Sequence, residues 1–228
     1  MSSIAGNLEK VRNRIRKACE ACGRDADGVE LIAVSKKKEV PALREALVAG
    51  QTLLGENRIQ EVMAKQPELP GSVRWHLIGH LQSNKVKQAI HCQFDCIHSV
   101  DSVKLMLALN EEAGNQGIVQ PILLQVNISG EHSKFGLNPE ELVPLLEQAV
   151  RCMHLDVQGL MTIPPFTEDP EKAGPFFAAL RELRDQAAAE TGFPLTELSM
   201  GMSHDLEVAI REGATWVRVG TDIFGARS

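Results

Sequence analysis

Residues 31–38 read LIAVSKKK. Four apolar residues, Leu31 to Val34, run without polar alternation into Ser35 and Lys36, and Glu39 and Pro41 open a helical stretch just beyond. A β-prone run of this kind reads as a strand buried on both faces. A lysine at the C-terminal end of such a strand stands at a mouth lined by protein. Desolvation there lowers an ammonium pKa and frees the amine to condense with a carbonyl ligand. Taken alone, the Lys36-Lys37-Lys38 run is more often a solvated surface turn, so the weight falls on what surrounds it.

The same pattern recurs along the chain. A helix is expected over residues 4–22, followed by strand-like segments at 30–35, 52–55, 73–79, 94–100, 121–129, 155–161, 195–200 and 214–220. Helical patterns fill the gaps. Gly50 reads as a C-cap, Asn138-Pro139 and Asp169-Pro170 as helix starts, and Ser203 as the cap of a helix closing at Gly213. Eight strands alternating with helices predict a (β/α)8 TIM barrel with an extra N-terminal helix. The rival is an open doubly wound sheet, but no GxGxxG follows the first strand. With no linker, repeat or low-complexity stretch, residues 1–228 are expected to form a single domain.

Composition narrows the function. Hydrophobic content of 43% and charged content of 24% are those of a soluble globular protein. The formal net charge of −6 gives no global attraction for nucleic acid or anionic membrane, so any anion site must be local. No apolar run approaches the ~18–20 residues of a membrane span, and no signal-peptide core is present. The odd count of 5 cysteines suggests reduced thiols in a cytoplasmic compartment. Cys19 and Cys22 share an apolar helical stripe with Ile4, Leu8, Val11 and Ile15. Cys96 and His98 share one face of a strand. Both sets read as packing, so no metal site is expected.

In a barrel the chemistry sits at the C-terminal strand ends. Those ends carry Lys36, Glu56 and Asn57, His76, Asn127 and Ser129, Met161 and Thr162, Met200 to Ser203, and Arg218 to Thr221. SMGMSHD after the seventh strand and VGTDIFG after the eighth offer glycine-permitted turns, backbone N–H groups and the hydroxyls of Ser203 and Thr221. Loops seven and eight form the usual phosphate site of this architecture. Each loop alone is better explained by capping; together, on adjacent strands, they favour a phosphate. Arg218, inside TWVRVG, would be a buried charge that needs partners. If Trp216, Arg218 and Gly220 point inward, Arg218 and Lys36 face one cavity, because strands one and eight adjoin in a closed barrel. An aldehyde, an aromatic ring nitrogen and a phosphate on one compact ligand satisfy all three features, as in pyridoxal 5′-phosphate (PLP).

AVSK at 33–36, GEN at 55–57, WHLIGHLQSNK at 75–85, NIS with HSKFG at 127–136, GLM at 159–161, SMGMSHD at 199–205 and VRVGTDIFG at 217–225 together resemble the YggS/PROSC family of pyridoxal-phosphate homeostasis proteins. These are relatives of the N-terminal barrel of alanine racemase, and the resemblance spans nearly the whole chain. It implies Lys36 as the Schiff-base lysine, phosphate contacts from Ser203, Gly220 and Thr221, and Arg218 at the ring nitrogen. It also implies Asn57 and His76 as pocket residues. Lys134, in HSKFG, is the fallback amine. One departure is His80, where proline or a similar residue is expected; it bears on loop shape and removes no ligand.

The resemblance further implies a carrier, with PLP-dependent apo-enzymes as candidate recipients and a monomer or weak dimer as the working state. A racemase of this lineage needs a second base, a tyrosine supplied by a β-domain. The sequence contains no tyrosine and ends about where a barrel is complete, so the second base is expected to be missing. A cationic partner for the ring nitrogen also weakens the ring as an electron sink. The alternative reading is a Schiff-base enzyme, either a low-activity PLP-dependent amino-acid racemase or an aldolase on a phosphosugar.

Overall fold

The computed structural model describes residues 3–131 and 134–225. Helix α1, Ile4–Cys22, begins where Ser3 accepts the Gly6 N–H at 3.1 Å. It ends at Gly23, whose φ of +70° carries the chain into a left-handed turn. Its stripe of Leu8, Val11, Ile15 and Cys19 is buried, each large apolar side chain contributing roughly 1.5–3 kcal/mol.

Strand β1 is Glu30–Val34, followed by α2, Val40–Val48. Then come β2, Leu53–Glu56; α3, Ile59–Lys65; β3, Arg74–Leu77; and α4, Val86–His91. The middle of the chain supplies β4, Cys96–Val100; α5, Val103–Asn115; β5, Gln120–Gln125; and α6, Leu142–Ala149. The last part supplies β6, Leu155–Met161; α7, Gly174–Thr191; β7, Glu197–Met202; α8, Leu206–Arg211; β8, Trp216–Val219; and the single turn α9, Thr221–Phe224. All eight strands pair in parallel, in chain order, and β8 closes on β1 with Ile32 opposite Arg218. The expected (β/α)8 barrel with its additional N-terminal helix is the observed fold.

Alternation divides each strand between two cores. Ala33, Leu54, Trp75, Ile97, Leu124, Leu160, Leu198 and Val217 pack outward against the helices. Cys96, Leu123, Met161 and Trp216 form a separate cluster inside the barrel. Gly159 permits the close approach of β6 to β7: a Cβ there would stand 1.9 Å from the Glu197 carbonyl oxygen.

Several boundaries differ from the sequence reading. β5 stops at Gln125 because the chain folds back, the Asn127 N–H donating to the Leu137 carbonyl at 2.8 Å. β7 runs on to Met202 through Gly201, at φ +90°. Ser203 does not cap α8. Asp205 holds the N-cap position, its carboxylate accepting the Met202 N–H at 2.6 Å.

Helix α1 ties the two ends of the chain together. Arg14 forks onto Glu207, reaches Asp222 at 2.5 Å and donates to the Ser203 carbonyl at 2.9 Å. Asn7 donates to the Ile223 carbonyl at 3.0 Å.

Candidate functional site

Lys36 follows the last residue of β1 by two positions and is half-buried at the C-terminal end of the barrel. On the neighbouring strand β8, Arg218 stands opposite Ile32, four residues before Lys36. Gly220 lies against β1 itself, so that a Cβ on it would meet the Val34 carbonyl oxygen at 3.2 Å and Val34 Cβ at 3.3 Å. Thr221, exposed, opens α9 beside it, and Ser203 is half-buried in the loop after β7. Asn57 follows β2. Its Oδ1 is buried without a hydrogen-bond partner among the described residues, which is costly unless something else donates to it. Lys36, Asn57, Ser203, Gly220 and Thr221 thus share one end of the barrel, with Arg218 beneath them.

His76 sits deeper than a rim residue. It is buried inside the barrel, and its Nδ1 lies 2.8 Å from His98 Nε2. His98 Nδ1 lies 2.9 Å from Ser199 Oγ, which takes a 2.5 Å bond from Arg218. A second arm of Arg218 donates to the Thr162 carbonyl at 2.9 Å. A guanidinium only donates. The arrangement that satisfies every hydrogen therefore runs one way: Arg218 to Ser199, Ser199 to His98 Nδ1, and His98 Nε2–H to His76 Nδ1. Both imidazoles are neutral in it. Burial pushes His76 down to about 3 and His98 well below the ordinary histidine range, with the neighbouring His76 and Arg218 adding to the effect on His98. Burial also lowers Arg218 to about 10, against the pull of Asp205, leaving it a cation at neutral pH. Trp216 closes the floor, its indole stacked on His98 at 5.0 Å and edge-on to His76 at 4.9 Å.

The rim is bridged by its loops. The His80 ring stacks on Phe135 with centroids 3.7 Å apart and faces Asp101 at 3.3 Å, joining the loops after β3, β4 and β5. Lys134 sits 3.4 Å from Glu131 in the same loop as Phe135. His132 and Ser133 of the HSKFG motif lie outside the described residues.

Comparison with known proteins follows this geometry. The model of the alanine racemase N-terminal domain family matches residues 6–228. A pyridoxal phosphate homeostasis protein of Pseudomonas aeruginosa is 46% identical over 228 residues, covering 100% of this chain and 97% of the relative. One of Aquifex aeolicus is 45% identical over 221 residues, covering 96% of each. The chain belongs to this family. Among solved structures, PipY of Synechococcus elongatus with PLP bound superposes with a TM-score of 0.87 at 40% identity, covering 98% of this chain and 100% of that one.

PLP, the ligand named for PipY, can be set against the residues at the barrel mouth of this family member. An amine at the rim, a buried cation below, a glycine seated on β1 and an orphaned Asn57 oxygen that can accept provide a set of groups that fits an aldehyde, a ring and a phosphate. The sequence reading did not single out His98 and Ser199 as the link between His76 and Arg218. Ser199 offered a signal: alternation puts it on the face opposite the apolar Leu198 and Met200, which pack outward against the helices. Lys65, described below, gave none, because lysine at the end of a helix ordinarily faces water.

Proposed function

We propose that this protein binds PLP at the C-terminal mouth of the barrel, covalently through Lys36, and serves in keeping and delivering the cofactor rather than in turning over amino acids. The observation that carries the reading is the placement of half-buried Lys36 one strand from the buried Arg218 cation, with Gly220 seated against Val34 between them. When bound, PLP supplies a reactive aldehyde, an electron-accepting ring and a phosphate. In this reading Lys36 supplies the amine, and Ser203, Gly220 and Thr221 receive the phosphate. Arg218 faces the ring nitrogen as a donor and holds it unprotonated, Asn57 lines the pocket with its Oδ1 open to a donor, and His76 supports the floor through His98.

Racemisation in this lineage needs a base on each face of the ring. The sequence has no tyrosine, and two residues of the barrel interior, His76 and Cys96, are poorly placed to substitute. His76 Nδ1 already accepts from His98, and its buried ring resists protonation. The Cys96 thiol is buried and pushed well above the ordinary thiol range. A barrel that binds the cofactor without a second base is suited to taking it up and giving it away, with cofactor-requiring apo-enzymes as recipients.

The test is to incubate the loaded protein with L- and D-amino acids in deuterated water and follow exchange at Cα. Exchange slower than enzyme turnover, ~1 s⁻¹, together with reactivation of an apo-enzyme by the loaded protein, is the expected result. Exchange at or above that rate would overturn the carrier reading in favour of a racemase.

A further inference from the structure

The turn that carries Lys36 is strained and is braced from behind by buried charges. The Lys38 N–H closes on the Ser35 carbonyl at 3.0 Å, so Lys36 and Lys37 are the two central residues of a tight turn. Lys37 has φ +57°, a value ordinarily left to glycine and costing a side-chain-bearing residue about 1 kcal/mol. Behind it sits the ammonium of Lys65, the last residue of α3, which is 8% exposed and surrounded by three acceptors. It donates to the Ser35 carbonyl at 3.0 Å, to Glu56 Oε1 at 2.7 Å and to Glu61 Oε2 at 2.9 Å. The same Glu61 oxygen accepts the Lys37 N–H at 2.6 Å. The same Glu56 oxygen accepts the Ser35 hydroxyl at 2.7 Å. The peptide groups on both sides of Lys36 are therefore held by one ion cluster, directly through Ser35 and through Glu61 at Lys37.

We infer that Lys65, with Glu56 and Glu61, is a positioning residue for Lys36, aiming its amine at the aldehyde of the cofactor by fixing the backbone on either side. The inference rests on the proposed function, since it gives the cluster a task only if Lys36 is the bonding lysine. The covalent step adds Lys36 Nζ to the aldehyde carbon and releases the aldehyde oxygen as water. The side chain of Lys65 touches neither partner. Its influence passes through the turn, which gives a task to a buried Lys65–Glu56 pair, expensive to assemble away from water, and to the partly exposed Glu61 beside it.

The experiment compares two ligands. PLP can bond Lys36; pyridoxine 5′-phosphate has the same ring and phosphate but an alcohol where the aldehyde stands. Glu61→Ala removes the acceptor of the Lys37 N–H at a partly exposed position bordering a groove shared with Lys37 and Arg58, and Lys65→Met removes the centre of the cluster. The expected result in whichever variants fold is an affinity for PLP reduced about tenfold or more, with that for pyridoxine 5′-phosphate changed less than about twofold, the pattern Lys36→Ala itself should give. Glu61→Ala is the deciding variant, because it leaves the Lys65–Glu56 pair intact. Equal losses for both ligands, or no loss for either, would overturn the inference. Borohydride reduction and peptide mapping of the unsubstituted protein separate the two layers: an adduct on a lysine other than Lys36 sinks the proposed function and this inference together, whereas an adduct on Lys36 with unselective variants sinks only the inference.

Discussion

His98 donates its Nε2–H to Nδ1 of His76 across 2.8 Å at the centre of the barrel, and neither ring is charged. A polar chain of four side chains, His76, His98, Ser199 and Arg218, replaces the apolar layer that a barrel of this size ordinarily stacks there. Its hydrogens are ordered by Arg218, so the chain makes the floor of the site rigid and fixes which imidazole nitrogen faces which partner.

The histidine pair makes stability depend on pH. Both histidines have folded pKa values below their unfolded value near 6.5, so the unfolded chain takes up protons that the folded chain refuses. Their contribution is fully present above about pH 6.5. It is lost at about 1.4 kcal/mol per pH unit for each histidine as the pH falls through the window toward the folded values, about 3 for His76. Urea unfolding at a series of pH values between about 7 and about 5, above most carboxylate titrations, should show this slope. A flat profile across that range would mean the pair is charged or exposed.

Ser199→Ala should lower both the melting temperature and the affinity for PLP. It leaves Arg218 Nη1 and His98 Nδ1 without the oxygen they share, at about 1–3 kcal/mol for each buried group left unsatisfied. Arg218→Ala should go further, since the Thr162 carbonyl also loses its donor and, on the proposed binding mode, the ring nitrogen loses its partner. Calorimetry and ligand titration on the two variants give the comparison. An Arg218 variant that kept both its melting temperature and its affinity would show that the guanidinium supports neither the fold nor the ligand.

Lys36→Ala should abolish the visible absorbance of the loaded protein while leaving its far-ultraviolet circular dichroism unchanged, because the side chain is half-buried at a strand end and not in the core. Retention of the band would move the covalent link elsewhere, with Lys134 the first residue to examine.

Lys37→Gly should be neutral or stabilising by up to about 1 kcal/mol, because glycine adopts a positive φ without a steric penalty. Lys37→Val should be destabilising by a similar amount, being β-branched at φ +57°. Chemical denaturation of the pair measures the strain directly, and equal stabilities would show that the turn relaxes when its residue is changed.

The barrel was legible because every strand carries a short apolar run bounded by a helical pattern, and because α1 shows its apolar stripe openly. The rim was legible for a related reason. Lys36, Asn57, Ser203 and Gly220 all stand where a strand pattern stops, and strand ends are where this architecture exposes side chains to a ligand. Depth was less legible. His76 also stands near a strand end in the sequence, yet faces the barrel interior and bonds a histidine on the next strand, and only the pairing of β3 with β4 reveals that. The cap of α8 was misread because Ser203 and Asp205 are both good capping residues, and the extension of β7 to Met202 decides between them. Lys65 was invisible because its burial depends on Glu56 and Ser35, residues 9 and 30 positions away in the chain.

The bonds from α1 to the far end of the chain bear on how the protein is made. Asn7 and Ile223 are 216 positions apart, and Arg14 waits on Ser203, Glu207 and Asp222. At ribosomal speeds of about 5–20 residues per second, the first helix exists for on the order of ten seconds or more before its partners emerge. Throughout that interval the stripe of Leu8, Val11 and Ile15 lacks the part of its cover that α8 and α9 supply. Sheet closure has the same timing, since β1 cannot pair with β8 until the eighth strand is translated. The nascent chain therefore presents an incompletely covered apolar helix and an open strand edge until its last strand emerges, and the loops after β7 and β8 are the part of the mouth assembled last.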